Sequence, residues 1–385
     1  MLTLTFILKN LSRNRLRNCL TIVGIAVSVL SFGLLRTTVD AWYAGVEASS
    51  ATRLITRNSI SLIFSLPMSY EERIRGVEGV SIVSRGGWFG GEYIDEKNFF
   101  PNFAVDLRTY LQLYPELLLP EDQKAALLRD RKGCLIGAKL ATRFGWKLGD
   151  PVTLKGTIFP GNWGFTVRGI YTGRDKGTDE TQLLFHWDYL NETLKKSAPR
   201  RADQAGFFIV GIKSADVAAS TALSIDARFQ NSLAETLTET EKAFQMGFVA
   251  MSGAIVAAIR IVSSLVIVII MAVAANTMAM SARERMGEFA VLKALGFGGG
   301  YLALLILGES LAIALIGCAL GCGLTFPAAA AFGGAVSQYF PVFQVSTLTV
   351  ALQGAAGLAV GLVAGIIPAL RAQSVGIAEA LRRIA

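Results

Sequence analysis

The apolar residues of this chain fall into long runs without charge, of lengths that a bilayer sets. From Ser310 to Leu370, sixty-one residues pass without a charged side chain. As one helix the run would be about three times the roughly 30 Å hydrocarbon core, so it must fold back on itself. The Gly333-Gly334 pair and Pro341 mark the turn, which predicts spans at 301–331 and 346–370 joined by a loop at 332–345. A second run, Ile261 to Ala282, has twenty-two uncharged residues and predicts a span over 254–282, because such a helix covers about 33 Å. The first run, Cys19 to Leu35, reaches a span of 18–39 once Arg36 snorkels to the interface. It exceeds the usual about 7–15 apolar residues of a cleaved leader, despite the passable cleavage signal Val39-Asp40-Ala41, so it reads as a retained helix. Ahead of it Leu4, Ile7, Leu8 and Leu11 recur at helical spacing. Residues 1–17 are therefore expected as an amphipathic segment on the membrane face.

Between the first two spans, residues 40–253 alternate short strand-like runs with turns. Pro151–Leu154, Phe165–Tyr171 and Phe207–Val210 read as strands and Glu121–Arg131 as a helix, an α+β domain. From Thr221 onward the pattern is helical. Phe244, Phe248, Met251, Ile255, Ala258 and Val262 alternate spacings of four and three. That stripe predicts one long helix whose upper part is a stalk above the second span. A packing face and a dimer seam fit the stripe equally well. The expected fold class is thus membrane α-helical, with four transmembrane helices and an α+β extracytoplasmic domain inserted between helices 1 and 2.

Composition agrees with this division. Only 17% of the 385 residues are charged and 52% are apolar, against roughly 25% charged in soluble domains. The net charge of +8 would suggest nucleic acid if it were spread evenly. Residues 40–253 hold 25 basic and 25 acidic residues, leaving 37 − 25 = 12 basic and 29 − 25 = 4 acidic elsewhere. The excess therefore flanks the spans, where the positive-inside rule places it, and nucleic acid is not an expected partner. An even number of spans puts both basic termini and the 283–300 connection in the cytoplasm and 40–253 outside.

Candidate chemistry is sparse. Cys19, Cys318 and Cys322 lie in spans and Cys134 is alone in the domain, so no disulfide framework is encoded. His186 is the one histidine and has no second for a metal pair. Gly206-Phe-Phe-Ile-Val-Gly211-Ile-Lys213-Ser214 lacks the lysine directly after the second glycine and reads as a strand, not a phosphate loop. The adjacent acids Glu71-Glu72, Asp95-Glu96, Glu121-Asp122 and Asp179-Glu180 diverge on any regular element and are expected on the solvated surface. Glu309 and Arg260, charges near or inside spans, are expected as anchors. Gly357, Gly361 and Gly365 line one helix face, for packing against a neighbouring span. The spans offer no polar path. Arg283 to Phe297 is short and amphipathic, with Gly296 placed as a helix C-cap. Pattern alone makes it either a docking element or a plain interfacial connector.

Four segments in order resemble one family. They are Leu8-Lys-Asn-Leu-Ser-Arg-Asn-Arg-Leu-Arg-Asn-Cys-Leu-Thr-Ile-Val-Gly-Ile25; Arg283-Glu-Arg-Met-Gly-Glu-Phe-Ala-Val-Leu-Lys-Ala-Leu-Gly296 with Glu309 thirteen residues on; Gly365-Ile-Ile-Pro-Ala-Leu-Arg-Ala372 with Glu379-Ala-Leu-Arg382; and, in the inserted domain, Ile136-Gly-Ala-Lys-Leu-Ala-Thr-Arg-Phe-Gly-Trp-Lys-Leu-Gly-Asp150. Over nearly its whole length the chain resembles an FtsX/MacB-like permease, the membrane subunit of type VII ABC transporters. Ala378 departs from the proline the family usually carries there. The resemblance implies a non-catalytic subunit of the bacterial inner membrane, multi-pass with both termini cytoplasmic. It also implies a second permease copy or paralogue and a cytoplasmic ABC ATPase that itself binds ATP and Mg. Arg283, Glu284, Arg285, Glu288, Phe289, Leu292 and Lys293 would be the ATPase-coupling contacts, with Phe244, Phe248, Met251 and Ile255 on the stalk. ATP-driven movement of the outer domain would then serve export or lipid and lipoprotein extraction, with membrane lipid and a periplasmic adaptor or lipoprotein as further partners. The alternative is an FtsX-like regulatory complex controlling a cell-wall hydrolase or signalling. The domain's size, about 210 residues, favours transport.

Overall fold

The computed structural model describes residues 14–175, 177–336, 340 and 342–373. The expected amphipathic segment before Asn14, Pro341, and the tail from Ser374 with Ala378 and Glu379–Arg382 lie outside the described residues. The chain divides into two units: one of residues up to Ala41 with Gly253–Ala335 and the stretch from Phe343, the other of Trp42–Ser252 with Val336–Val342.

The first unit is a helix bundle. Among the described residues four helices are long and apolar enough to cross a membrane: α1 (Arg15–Ala48), α9 (Gly253–Glu284), α11 (Gly299–Val336) and α12 (Thr347–Gln373). α11 runs straight through the Gly333-Gly334 pair, which was expected to be the turn. Each glycine costs a helix only about 1 kcal/mol, too little to end one with an alanine-rich stretch behind it. The bundle core joins Ile25 and Val29 of α1, Ile267, Ile270 and Ala274 of α9, Ile313 and Cys318 of α11, and Val360 and Ala364 of α12. Small residues set the helix spacing. A methyl at Gly361 would stand 2.9 Å from Ala314 Cβ, and one at Gly321 would stand 2.7 Å from the Ala26 carbonyl oxygen. Gly357 faces Cys318 in the same way and Gly365 faces Ser310, so this glycine edge of α12 lies on α11.

The second unit is α/β. Its main sheet runs in the order β13 (Thr236–Thr240), β1 (Arg53–Asn58), β12 (Phe207–Ile212), β3 (Val80–Trp88), β5 (Asn102–Val105), β10 (Leu183–His186), β7 (Gly133–Gly137), β9 (Gly161–Gly173), β8 (Pro151–Gly156) and β4 (Gly91–Glu92). β1 (Arg53–Asn58) pairs antiparallel with β12 (Phe207–Ile212) on one side and with β13 (Thr236–Thr240) on the other, from Arg53↔Gly211 and Leu54↔Thr240 onward. The first and last strands of the domain therefore lie side by side. Alternation along these strands sorts two cores. Leu54, Phe208 and Val210 meet Ile74 of α2 (Tyr70–Arg75) and Ile225 and Phe229 of α7 (Ala218–Phe229). Ile55 and Ile209 point to the other face, against Leu107, Tyr110 and Leu113 of α3 (Leu107–Leu113). A third, aromatic core (Phe89, Trp163, Phe165, Phe185) fills the other half, where β7 (Gly133–Gly137) pairs in parallel with β9 (Gly161–Gly173). The glycine-flanked 206–214 run is indeed strand β12 in mid-sheet, and α4 occupies Glu121–Arg129.

Two expectations need correction here. Glu71 is buried rather than solvated: its carboxylate accepts from Arg75 at 2.8 Å and from Arg85 of β3 (Val80–Trp88) at 2.7 Å. The stalk is not one helix with the second span. α8 (Glu241–Met251) ends at Ser252, whose N–H turns back to the Val249 carbonyl at 3.0 Å, and α9 starts afresh at Gly253. Gly247, Ser252 and Gly253 are poor helix formers within seven residues, which weakens the helix at that point. Of the stripe, Phe244 packs on the domain core and edges against the Phe248 ring, while Met251 and Ile255 are exposed.

Cys134 sits fully buried in β7, and burial, with Asp130 adding to it, pushes its thiol up to about 12. The thiolate is the reactive form, so burial suppresses its reactivity at neutral pH both by raising the pKa and by shielding the sulfur. Native Cys134 is expected to resist maleimide and to label fully once the chain is unfolded in urea, read by mass spectrometry of the Cys134 peptide. Complete labelling of the native chain would show that the strand opens readily.

Candidate functional site

The segment joining α9 to α11 is a short helix with a defined start and stop. Arg285 leaves helical geometry (φ −104°, ψ 12°), and α10 (Met286–Ala294) follows. It stops at Gly296, whose φ of +94° is open to glycine. The Phe297 N–H donates to the Leu292 carbonyl at 3.1 Å and the Gly296 N–H to the Lys293 carbonyl at 3.0 Å, which satisfies the last carbonyls of the helix.

One face of α10 is fastened to the bundle. Phe289 and Ala290 are buried with Leu302, Ala303 and Ile306 of α11 and Ala369 and Ala372 of α12, and Met286 and Leu292 pack at the edge. Arg285 donates to Glu309 of α11 at 2.6 Å, with both side chains about nine-tenths buried (11% and 10% exposed). The same guanidinium reaches Glu288 at 3.3 Å and lies over the Phe289 ring at 5.3 Å. At the far end Lys293 donates to the Gln373 carbonyl at 2.7 Å, a cation on the last turn of α12 where the helix dipole favours it. Arg17 of α1 bonds Glu284 at 2.7 Å and Ser281 at 3.0 Å. A polar cavity of about 160 Å³ lies between these groups, lined by Asn14, Arg17, Asn18, Ser281, Glu284, Arg285, Glu288 and Glu309.

The expected coupling residues therefore separate. Arg283 is exposed, and Glu284 is half-exposed beside Arg17. Glu288 and Lys293 are partly exposed, each bonded within the bundle. Arg285 and Phe289, read from the sequence as partner contacts, are internal: the ion pair and the apolar core draw them inward. The open face carries Val291, Leu295 and Phe297, the second of them 71% exposed, and the reading by motif passed over all three. Their signal was helical spacing, since Met286, Phe289, Ala290 and Lys293 share one face and Val291 and Leu295 the other. Glu309, expected as an anchor, is tied to Arg285, and Arg17 joins the start of α1 to the end of α9. Among the described residues no group of three or more His, Cys, Asp or Glu is placed to hold a metal ion. His186 Nε2 stands 2.8 Å from the Leu127 carbonyl oxygen, tying β10 (Leu183–His186) to α4.

Four helices long and apolar enough to cross a membrane, an α/β domain inserted between the first two, and a short helix docked at one end of the bundle are the architecture of a multi-pass membrane protein. Residues 19–228 match the MacB-like periplasmic core domain and 260–376 the FtsX-like permease C-terminal domain. The first match alone covers more than half of the chain, which belongs to the FtsX/MacB-like family of ABC permeases.

Solved structures give weaker likenesses. The extracellular domain of the noncanonic ABC-type transporter YknZ from Gram-positive bacteria is 16% identical, covering 49% of this chain and 100% of that one, with a TM-score of 0.35. The periplasmic region of MacB from Actinobacillus actinomycetemcomitans is 9% identical over 53% of this chain and 95% of that one, TM-score 0.37. A domain of a putative permease protein from Porphyromonas gingivalis is 15% identical over 49% and 90%, TM-score 0.32. At such scores the likenesses carry no argument, and membership stands on the two family matches. No curated protein matches the sequence.

Proposed function

We propose that this chain is a mechanical permease subunit. A separate cytoplasmic ABC ATPase, holding the ATP and Mg²⁺, pushes on α10, and the spans carry the displacement to the α/β domain for export or for lipid or lipoprotein extraction. The basic end of the bundle, with Arg17, Arg283 and Lys293, faces the cytoplasm of a bacterial inner membrane, and the α/β domain faces the opposite side. The observation that carries this reading is the two-ended fastening of α10. Glu309 holds its start to α11 and the Gln373 carbonyl holds its end to α12, over a shared apolar core. A load on α10 therefore passes into the spans instead of bending a loose loop. The match to the MacB-like core over 19–228 supports export or extraction over control of a hydrolase.

The test targets the open face. Leu292 is partly buried in the core, so its loss would confound folding with docking; Leu295→Asp and Val291→Asp do not disturb that core. Each is expected to lower co-purification of the co-expressed ATPase roughly tenfold or more, the effect of an interface anchor, while the amount of permease in the membrane stays unchanged. Glu288→Lys reverses a charge on the same end and is expected to act in the same direction. Wild-type recovery of the ATPase with both aspartate variants would refute the assignment of this face.

A further inference from the structure

Three charge-free runs of the chain end at one level. Cys19 opens the first, Ala282 closes the second and Ser310 opens the third. The polar cavity beside α10 is lined from these same ends: Arg17 precedes the first run, Glu284 and Arg285 follow the second, and Glu309 precedes the third. Charge begins where hydrocarbon stops, so the cavity lies at the depth of the lipid headgroups.

Its charged groups are only partly spent on each other. Arg285 gives Nε to Glu288 and Nη1 to Glu309 Oε2, and Arg17 gives Nη1 to Glu284 Oε2. Among the described residues nothing donates to Oε1 of Glu284 or Oε1 of Glu309, and Arg285 Nη2 donates to nothing. Glu309 is itself buried, so the cavity is the space left for its second oxygen. A buried carboxylate oxygen left unmet costs free energy, which an N–H from a ligand would recover. An anion alone would meet the carboxylates as like charges, and a cation alone would leave the guanidinium donor unmet. One group with a primary ammonium and a phosphate a few bonds apart answers both. The volume of about 160 Å³ suffices for it, since a cavity of about 150 Å³ takes a benzene ring.

We propose that this cavity binds the aminoethyl phosphate headgroup of a membrane lipid. The ammonium lies on the Glu284 and Glu309 carboxylates and the phosphate on Arg285 Nη2, with Arg17 adding its charge. The bound headgroup braces the Arg285–Glu309 pair at the start of α10. That this tunes ATPase docking rests on the mechanical reading above; the binding does not. The test takes the full chain, purified in detergent and stripped of lipid, and measures lipid retention by native mass spectrometry. Phosphatidylethanolamine should be held roughly tenfold more tightly than phosphatidylcholine, whose trimethylated ammonium donates no hydrogen bond, the weight of one such bond to a charged group. Phosphatidylglycerol, with the phosphate but no ammonium, should be held no better than phosphatidylcholine. Ser281→Leu puts a larger apolar side chain into the cavity and should abolish the preference. Glu284→Gln, whose amide oxygen still accepts from Arg17, should reduce it and serves if the leucine variant does not assemble. Equal retention of the three lipids by the native chain, or an undiminished preference in both variants, would overturn the proposal. Displacement of the lipid by an equal concentration of free phosphoethanolamine would also overturn it, since the ligand would then be a soluble zwitterion. Equal ATPase recovery from membranes with and without phosphatidylethanolamine, with the lipid preference as expected, would count against the tuning of docking alone.

Discussion

Replacing Arg285 by methionine is expected to destabilise the bundle by about 3–5 kcal/mol, the range seen when one partner of a buried ion pair is removed. Glu309 would be left nine-tenths buried without the guanidinium 2.6 Å from it. The start of α10 would lose its hold on α11, and Glu288 and the Phe289 ring would lose the same cation. Glu309→Gln should cost less, about 1–2 kcal/mol, because an amide oxygen still accepts from Arg285 and Glu288 still supplies charge. The double variant Arg285→Met/Glu309→Gln should recover part of the loss, since no unpaired charge remains. Thermal unfolding of the four chains in detergent closes a double-mutant cycle. A coupling energy near zero would mean that the pair is decoration on a helix held by Phe289 alone. On the proposed docking face of Val291 and Leu295, loss of the pair at the start of α10 should also lower partner binding at temperatures where the single arginine variant is still folded.

The spans were legible because hydrocarbon excludes charge absolutely enough to show in one sequence. Sixty-one uncharged residues from Ser310 admit no other reading. Helix ends were less legible, because fractions of a kcal/mol decide them and neighbours supply those fractions. The helix absorbs Gly333-Gly334 yet breaks at Ser252–Gly253, although both sites carry glycine. In the inserted domain, alternation exposed individual strands such as Phe207–Val210. It could not reveal that β12 would lie between β1 and β3, since those pairings join residues more than a hundred positions apart. Glu71 shows the same limit at the scale of one side chain: its partner Arg85 stands on the neighbouring strand. The candidate site was legible as a segment but not as a surface. Motif resemblance selected residues 283–293 without saying which side of α10 would be buried, and Arg285 and Phe289 turned out to build the fold that presents the others.

The second large effect is expected at Glu241, the first residue of α8. Its carboxylate accepts from Arg53 Nε of β1 and from the Ser50 N–H, both at 2.8 Å, and from the Tyr114 hydroxyl at 3.0 Å. Arg53 also reaches Glu116 at 2.8 Å and the Leu113 carbonyl at 2.8 Å, and lies 4.1 Å over the Tyr114 ring. Burial opposes the arginine charge, but Glu241, Tyr114 and Glu116 outweigh it and hold its pKa above the ordinary value. The cluster thus joins the start of the domain's first strand, the start of its last helix and the loop after α3. Glu241→Ala orphans three donors at once and should cost about 3–5 kcal/mol, whereas Glu241→Gln, which keeps one acceptor oxygen, should cost less than half of that.

Tyr114 supplies an independent readout. Burial, with Tyr110 and Glu241 adding to it, keeps its phenol protonated well above the usual pKa near 10. Below pH 10 both the folded and the unfolded chain hold that proton and stability is unaffected. Above pH 10 the unfolded chain releases it first, so stability falls as pH rises toward the folded pKa. Removing Glu241 takes away part of the cause, so the Tyr114 phenolate should form at lower pH in Glu241→Ala, seen as absorbance near 295 nm that is absent when Tyr114 is also phenylalanine. If the alanine variant unfolds at the native temperature with an unchanged tyrosine titration, the carboxylate does not act on this cluster. The Arg53 contacts to Glu116 and Leu113 would then suffice to join the two ends of the domain.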